Sequence, residues 1–203
     1  MAWQRHPVLS LISGPNPEPV DTTDAKNYLR IDTSADDDLI DSLIHAARMW
    51  VENYTGRALI TQTFDQLFRG LPASGAPLVL AKAPVASVTN ITYLDENGVS
   101  RTLASSNYAL RTTAGPMAGR ALIEVSSTFT APSLYSEAEY PVIVRTVCGY
   151  GNPSTVPQGM KAAIMLLLGD MYEQRQETIL GGSSKSQTTV ERLLAPFRLP
   201  EAH

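Results

Sequence analysis

Residues 33–56, TSADDDLIDSLIHAARMWVENYTG, decide the fold. Leu39, Ile40, Leu43, Ile44, Ala47, Trp50, Val51 and Tyr54 recur at three- and four-residue spacing, which draws one apolar stripe along a helix over 35–55. Thr33 and Ser34 offer cap oxygens ahead of it, and Asp36, Asp37 and Asp38 put negative charge where the helix dipole favours it. Gly56 supplies the left-handed stop.

Working outward, residues 1–19 hold Pro7, Gly14, Pro15, Pro17 and Pro19 and read as an irregular arm. A short helix is expected over 21–30, with Asp21 or Thr22 as cap, Asp24 in the first turn, Val20 as a staple and Tyr28 and Leu29 on the apolar side. Past Gly56 the period changes. Alternating runs at 59–68, 78–80, 87–94, 99–103, 108–110, 121–125 and 142–147 predict short strands within a β insert over 58–148. Asp95-Glu96-Asn97-Gly98 predicts a hairpin turn, because Asn and Gly accept the positive φ it needs. Pro157 suits the first turn of a helix over 157–177, whose stripe is Met160, Ala163, Ile164, Leu167, Leu168 and Met171. That helix packs against the long one or against another subunit. Gly181 to Ser186 reads as a polar tether, followed by an amphipathic segment of Val190, Leu193, Leu194 and Phe197, interrupted by Pro196 and ended by Pro200. The expected class is α+β: a helical core made of the long N-terminal helix and a C-terminal helix, with an inserted small antiparallel β region. Residues 20–180 form the main domain, and 181–203 a flexible linker and tail.

Two hundred and three residues, 43% apolar and 18% charged, suffice to bury a core. No apolar run approaches the ~20 residues of a membrane span, and the first dozen residues lack the layout of a secretory leader. A soluble intracellular product without membrane partners is expected. Cys148 is the one cysteine, so there is no internal disulfide, and no ligand set surrounds it. The net charge of −4 and the lack of any Lys/Arg cluster disfavour tight DNA binding.

No reaction chemistry assembles from the residues. Asp36, Asp37 and Asp38 are consecutive on a helix and point in different directions, so dipole complementarity explains them better than a cation does. His6, His45 and His203 are scattered. Cys148 has no histidine motif beside it to act as a base. Gly149-Tyr150-Gly151-Asn152-Pro153 lacks the lysine and Ser/Thr of a P-loop and reads as a turn. We expect no catalytic residues, no metal and no cofactor.

Four stretches carry a family resemblance: Glu18-Pro19-Val20, residues 28–32 (Tyr-Leu-Arg-Ile-Asp), residues 54–62 (Tyr-Thr-Gly-Arg-Ala-Leu-Ile-Thr-Gln), and Gly149-Tyr150-Gly151 followed by Val156-Pro157. Together they resemble the phage head-tail connector family typified by that of phiE125, related to the head-tail adaptors of HK97-type phages. The similarity runs from about Glu18 to Phe197. Cys148 stands where alanine is usual, and 126–140 has no counterpart in the family pattern. The resemblance implies a structural, non-enzymatic subunit of the virion neck that passes through the host cytoplasm during assembly. It implies a homo-oligomeric ring, a dodecamer, under the portal protein, with a downstream neck or tail protein as second partner and DNA passing through the channel without specific binding. It also suggests that Val190, Leu193, Leu194 and Phe197 form a portal-docking tail. Leu39, Leu43, Ile44, Trp50, Tyr54, Ile164, Leu167, Leu168 and Met171 are expected to pack the helical core and its subunit contacts. The alternatives are another neck protein, a head-closure or tail-completion factor, or a β-rich binding module or small hydrolase.

Overall fold

A computed structural model of the chain describes residues 7–72, 77–174 and 184–200. The α+β class read from the sequence holds, and the chain divides into two units. One takes Pro15–Ile60 and Tyr150–Leu199; the other takes Met1–Gly14, Thr61–Gly149 and Pro200–His203.

The β unit opens with β1 (Val8–Ser13). Residues 1–19 were expected to be irregular, but Pro7 and Gly14 bound this β-forming run and do not interrupt it. Its five-stranded antiparallel sheet also contains β2 (Gln62–Phe68), β4 (Val85–Leu94), β5 (Ser100–Thr102) and β8 (Val142–Cys148), in the order β1-β2-β8-β4-β5. A three-stranded sheet has the order β3-β7-β6, from β3 (Leu78–Val79), β6 (Tyr108–Arg111) and β7 (Leu122–Val125). Along β8, Val142, Val144, Thr146 and Cys148 are buried and the residues between them half-buried, the period-2 signature of a central strand. The Asp95–Gly98 turn closes the β4–β5 hairpin, with Gly98 at φ 75°. Asp95 Oδ1 accepts from the amides of Asn97 and Val99 at 3.0 Å each.

The helical unit holds α1 (Thr22–Leu29), α2 (Asp37–Thr55), α3 (Gln158–Gln174) and α4 (Ser184–Leu194). The Asp21 side chain caps α1 by accepting from Asp24 N at 2.7 Å. Gly56, at φ 74°, ends α2. The core is built from Ile40, Ile44, Ala47 and Val51 of α2, Met160, Ala163, Ile164 and Leu168 of α3, and Val190 and Leu194 of α4. Gly181–Ser183 of the expected tether lie outside the described residues, but Ser184 to Ser186 begin α4 instead of continuing a linker. Their polar composition is compatible with a helix, and packing of Val190 and Leu194 decides the conformation.

Candidate functional site

The helix residues singled out by spacing meet in the helical unit. Ile44, Ile164 and Leu168 are fully or almost fully buried, with Leu43, Trp50, Tyr54, Leu167 and Met171 packed around them and Leu39 half-buried. Trp50 stacks on Tyr54 with ring centroids 5.1 Å apart, and the Arg198 guanidinium lies 5.7 Å from the Tyr54 ring centroid. Leu193 is 38% exposed, whereas Val190 and Leu194 are fully buried. Phe197 packs so closely on α3 that a Cβ at Gly159 would meet its ring at 3.1 Å. The expected docking tail therefore needs correction: most of its apolar face is folded onto its own helices, because a short stripe gains more by closing a nearby core than by remaining in water.

Sequence reasoning missed a buried polar network on α2. Arg48 is 3% exposed and Glu52 6%, in line with Ile44 and Val51. Arg48 donates from Nε to Glu18 Oε2 and from Nη1 to Glu52 Oε2, both at 2.7 Å. Glu52 Oε1 accepts from Leu59 N at 2.8 Å, so the network ties the segment before α1 to the chain leaving α2. The signal was available: Arg48 follows Ile44 by four residues and Glu52 follows Arg48 by four, on the apolar side. Arg57, 2% exposed, donates to the Phe197 carbonyl and fastens the C-terminal segment.

The titratable groups considered for chemistry are held in structural bonds. Tyr172 donates to Asp36 at 2.6 Å and Lys26 pairs with Asp37 at 2.7 Å, so these two carboxylates serve different partners. Among the described residues no cluster of His, Cys, Asp or Glu could hold a metal. His6 and His203 lie outside the described residues. His45 is exposed, with Nδ1 3.3 Å from Glu18 and 2.9 Å from Arg48 Nη2. Burial pushes the Cys148 thiol up, and its Sγ lies 3.5 Å from Thr146 Oγ1, so it is a poor nucleophile. In the Gly149–Pro153 segment, Gly149 and Gly151 take φ of 123° and 111°. Asn152 Oδ1 accepts from Ser154 N at 3.0 Å, which is turn chemistry. An open groove of about 410 Å³ is lined by Glu18, Val20, Asp21, Thr22, Asp41 and His45 among others. Its acids already serve the fold: Glu18 binds Arg48, Asp21 caps α1, and Asp41 accepts from Thr22.

The described surface of the β unit carries several ion pairs. In the β unit, Arg69 pairs with Glu139, Arg101 with Asp95 at 2.9 Å, Arg111 with Glu124 at 2.8 Å and Arg145 with Asp65 at 2.7 Å. Arg120 donates to the Ala81 and Pro200 carbonyls. No cationic track for a phosphate backbone is left by these arginines. The large exposed apolar residues concentrate on β1, at Val8, Leu9, Leu11 and Ile12. No described helix is long and apolar enough to cross a membrane.

Residues 21–93 match the family described as phage gp6-like head-tail connector protein. That stretch runs from the cap of α1 into β4 and includes the Tyr54–Gln62 run. Among solved structures, a chain in the neck of an empty GTA particle, computed with C6 symmetry, shares the fold at a TM-score of 0.75 and 23% identity, with 97% of each chain covered. The same figures hold for a chain in the virion of a native gene transfer agent particle. A chain in the neck of the native particle, computed with C12 symmetry, gives 0.70, 22% and 97% of each chain. No curated protein matches. The sequence match over 21–93 and the fold shared along the chain bear out the resemblance to head-tail connectors.

Proposed function

We propose that this protein is a head-tail connector subunit that assembles as a ring of twelve copies beneath the portal, extends the DNA channel and presents a surface to the next neck or tail component. The observation that carries this reading is the coincidence of a connector-family match over 21–93 with a neck-chain fold over 97% of the chain. Twelvefold and sixfold symmetries of the necks holding the similar chains support a ring, since head-to-tail contacts between identical subunits close when the rotation per copy allows. Ion-paired arginines and the net charge of −4 suit a conduit through which DNA slides without adhering.

The reading needs no catalysis or cofactor. It places the protein at the virion neck, after assembly in the host cytoplasm. The outer faces of Leu39, Leu43, Leu167 and Met171, each only partly buried in the helical unit, are left for contacts between copies. Portal attachment through the C-terminal segment has Leu193 and the rim of Phe197 to work with, because Val190 and Leu194 are internal.

Particles made without this protein should yield filled, tailless heads, and adding the purified protein should place a multi-copy annulus on the portal vertex, visible by cryo-electron microscopy, and restore tail joining. Tailed particles in its absence, or binding to tail tubes and not to portal, would overturn the proposal.

A further inference from the structure

We propose that β1 is the surface by which one copy of this chain engages the next, its exposed apolar edge being covered by the neighbouring copy. This rests on the ring reading above. β1 is an edge strand, paired with β2 on one side only, and all six of its residues are exposed. Val8, Leu9, Leu11 and Ile12 are 44%, 39%, 55% and 49% exposed. The run Val-Leu-Ser-Leu-Ile-Ser carries no charge and no proline, so two of the usual protections against strand addition are missing.

The register sharpens the anomaly. Leu9 and Leu11 stand opposite Gln66 and Phe64, which are buried, so they continue the core face of the sheet beyond the part that is covered. Val8 stands opposite Leu67 on the other face, and the irregularity between Leu11 and Ser13 leaves Ile12 as an extra apolar residue.

Two observations favour a second copy as occupant. The first is area. The four residues, divided between the two faces of the strand, leave on the order of 300 Å² open, as much as the largest apolar patch of many monomers, yet well under the roughly 800 Å² that each partner contributes to a stable two-body interface. Such a surface fails to hold an isolated pair but contributes to a closed ring, where every copy is gripped on two sides. The second is topology. At the far end of the same sheet, β5 has three residues and pairs only with Thr92–Leu94 of β4, so no described strand covers the rest of β4 on that side. One sheet with an open edge at each end leaves two different edges for neighbouring copies, as a head-to-tail contact requires.

The test places the photo-cross-linker p-benzoylphenylalanine at Leu11 in assembled particles. A ladder at multiples of the single-chain mass is the expected result. A cross-link only to a different protein, or only within the chain, overturns the inference. In parallel, the double variant Leu9→Lys/Leu11→Lys, shown by circular dichroism and thermal melting to fold as the wild type does, should lower the copies bound per tailless head at least tenfold. The milder Leu9→Thr/Leu11→Thr pair should give the same direction. Full occupancy by folded variants refutes the role of β1 while the connector reading stands; failure of the wild type to assemble in multiple copies refutes both.

Discussion

Glu52→Ala is a sharp perturbation of the helical unit, because it removes at once the hydrogen bonds that Glu52 accepts from Arg48 and from the Leu59 amide. The Arg48 guanidinium, 3% exposed, would keep Glu18 but lose its inner partner, and the Leu59 amide would lose its acceptor. Breaking a buried pair by removing one member costs about 3–5 kcal/mol, and an orphaned buried amide costs about 1–3 kcal/mol. The two penalties share one site and do not add, so the expected loss is about 3–5 kcal/mol, a large fraction of the ~5–15 kcal/mol that holds a domain together. Arg48→Met/Glu52→Leu removes both charges and keeps the volume but still orphans the Leu59 amide, so it should lose about 1–3 kcal/mol, less than the single variant. Urea unfolding followed by Trp50 fluorescence, in a Trp3→Phe background, reads the helical unit, since Trp50 stacks on Tyr54. A Glu52→Ala loss under about 1 kcal/mol, or a double variant as unstable as the single one, would refute the claim that this network holds the unit by mutual pairing.

Three further outcomes follow from the geometry. Leu194→Ala should cost about 2–5 kcal/mol by urea unfolding, against a few tenths for Leu193→Ala, because only the first leaves a cavity. Cys148 should react with a thiol reagent at pH 8 at least ~100-fold more slowly in the native state than in urea, since burial raises its pKa and blocks access. The Arg101 guanidinium, with the Val99 and Asn97 amides, holds the Asp95 carboxyl below the usual carboxylate range. Its contribution to the β4–β5 hairpin is therefore present above the unfolded-state pKa and lost as pH falls through the depressed one. Amide exchange at Val99 should accelerate relative to the sheet interior over that acidic window, and Asp95→Asn should abolish the pH dependence.

What was legible in the sequence was whatever repeats. The α2 stripe, the Asp95–Gly98 turn and the seven β runs carry a period or a turn dipeptide, so the type of element follows from local sequence alone. What was not legible depends on partners distant in sequence. β1 shows the difference: Val8 to Ser13 has β-forming residues, but its pairing with Gln62–Phe68 is invisible without the sheet, and the flanking Pro7 and Gly14 dominate a local reading. Arg48 and Glu52 were hidden because charged residues on a helix are ordinarily assigned to its solvated side. Only the approach of Glu18 and the Leu59 amide makes their burial tolerable. The tail was misjudged for a related reason. Its stripe was correctly found, but whether an amphipathic segment closes its own core or reaches a partner depends on where the chain leads it, and here Arg57 and the Thr55 carbonyl draw it back onto α2 and α3.

That convergence explains why the run over 54–62 is informative about the family. Tyr54 takes the Trp50 and Arg198 contacts, Thr55 Oγ1 donates to the Val51 carbonyl at 2.7 Å, and its own carbonyl accepts from Leu199 N at 2.9 Å. Gly56 turns the chain with a left-handed φ, at a place where a Cβ would meet Leu199 at 3.4 Å. Arg57 fastens Phe197, Leu59 N closes the Glu52 network and its carbonyl accepts from Tyr150 N at 3.1 Å, while Ile60 fills the core and Gln62 starts β2. Nearly every residue of the run ends one element or secures another, so substitutions are constrained on both sides of the junction. The same scaffold leaves Val8, Leu9, Leu11 and Ile12 uncovered on β1, the edge strand beside β2. Among the described residues every buried side-chain polar atom has a partner within the chain, whereas the β1 edge stays open, and the proposed neighbouring copy would complete it.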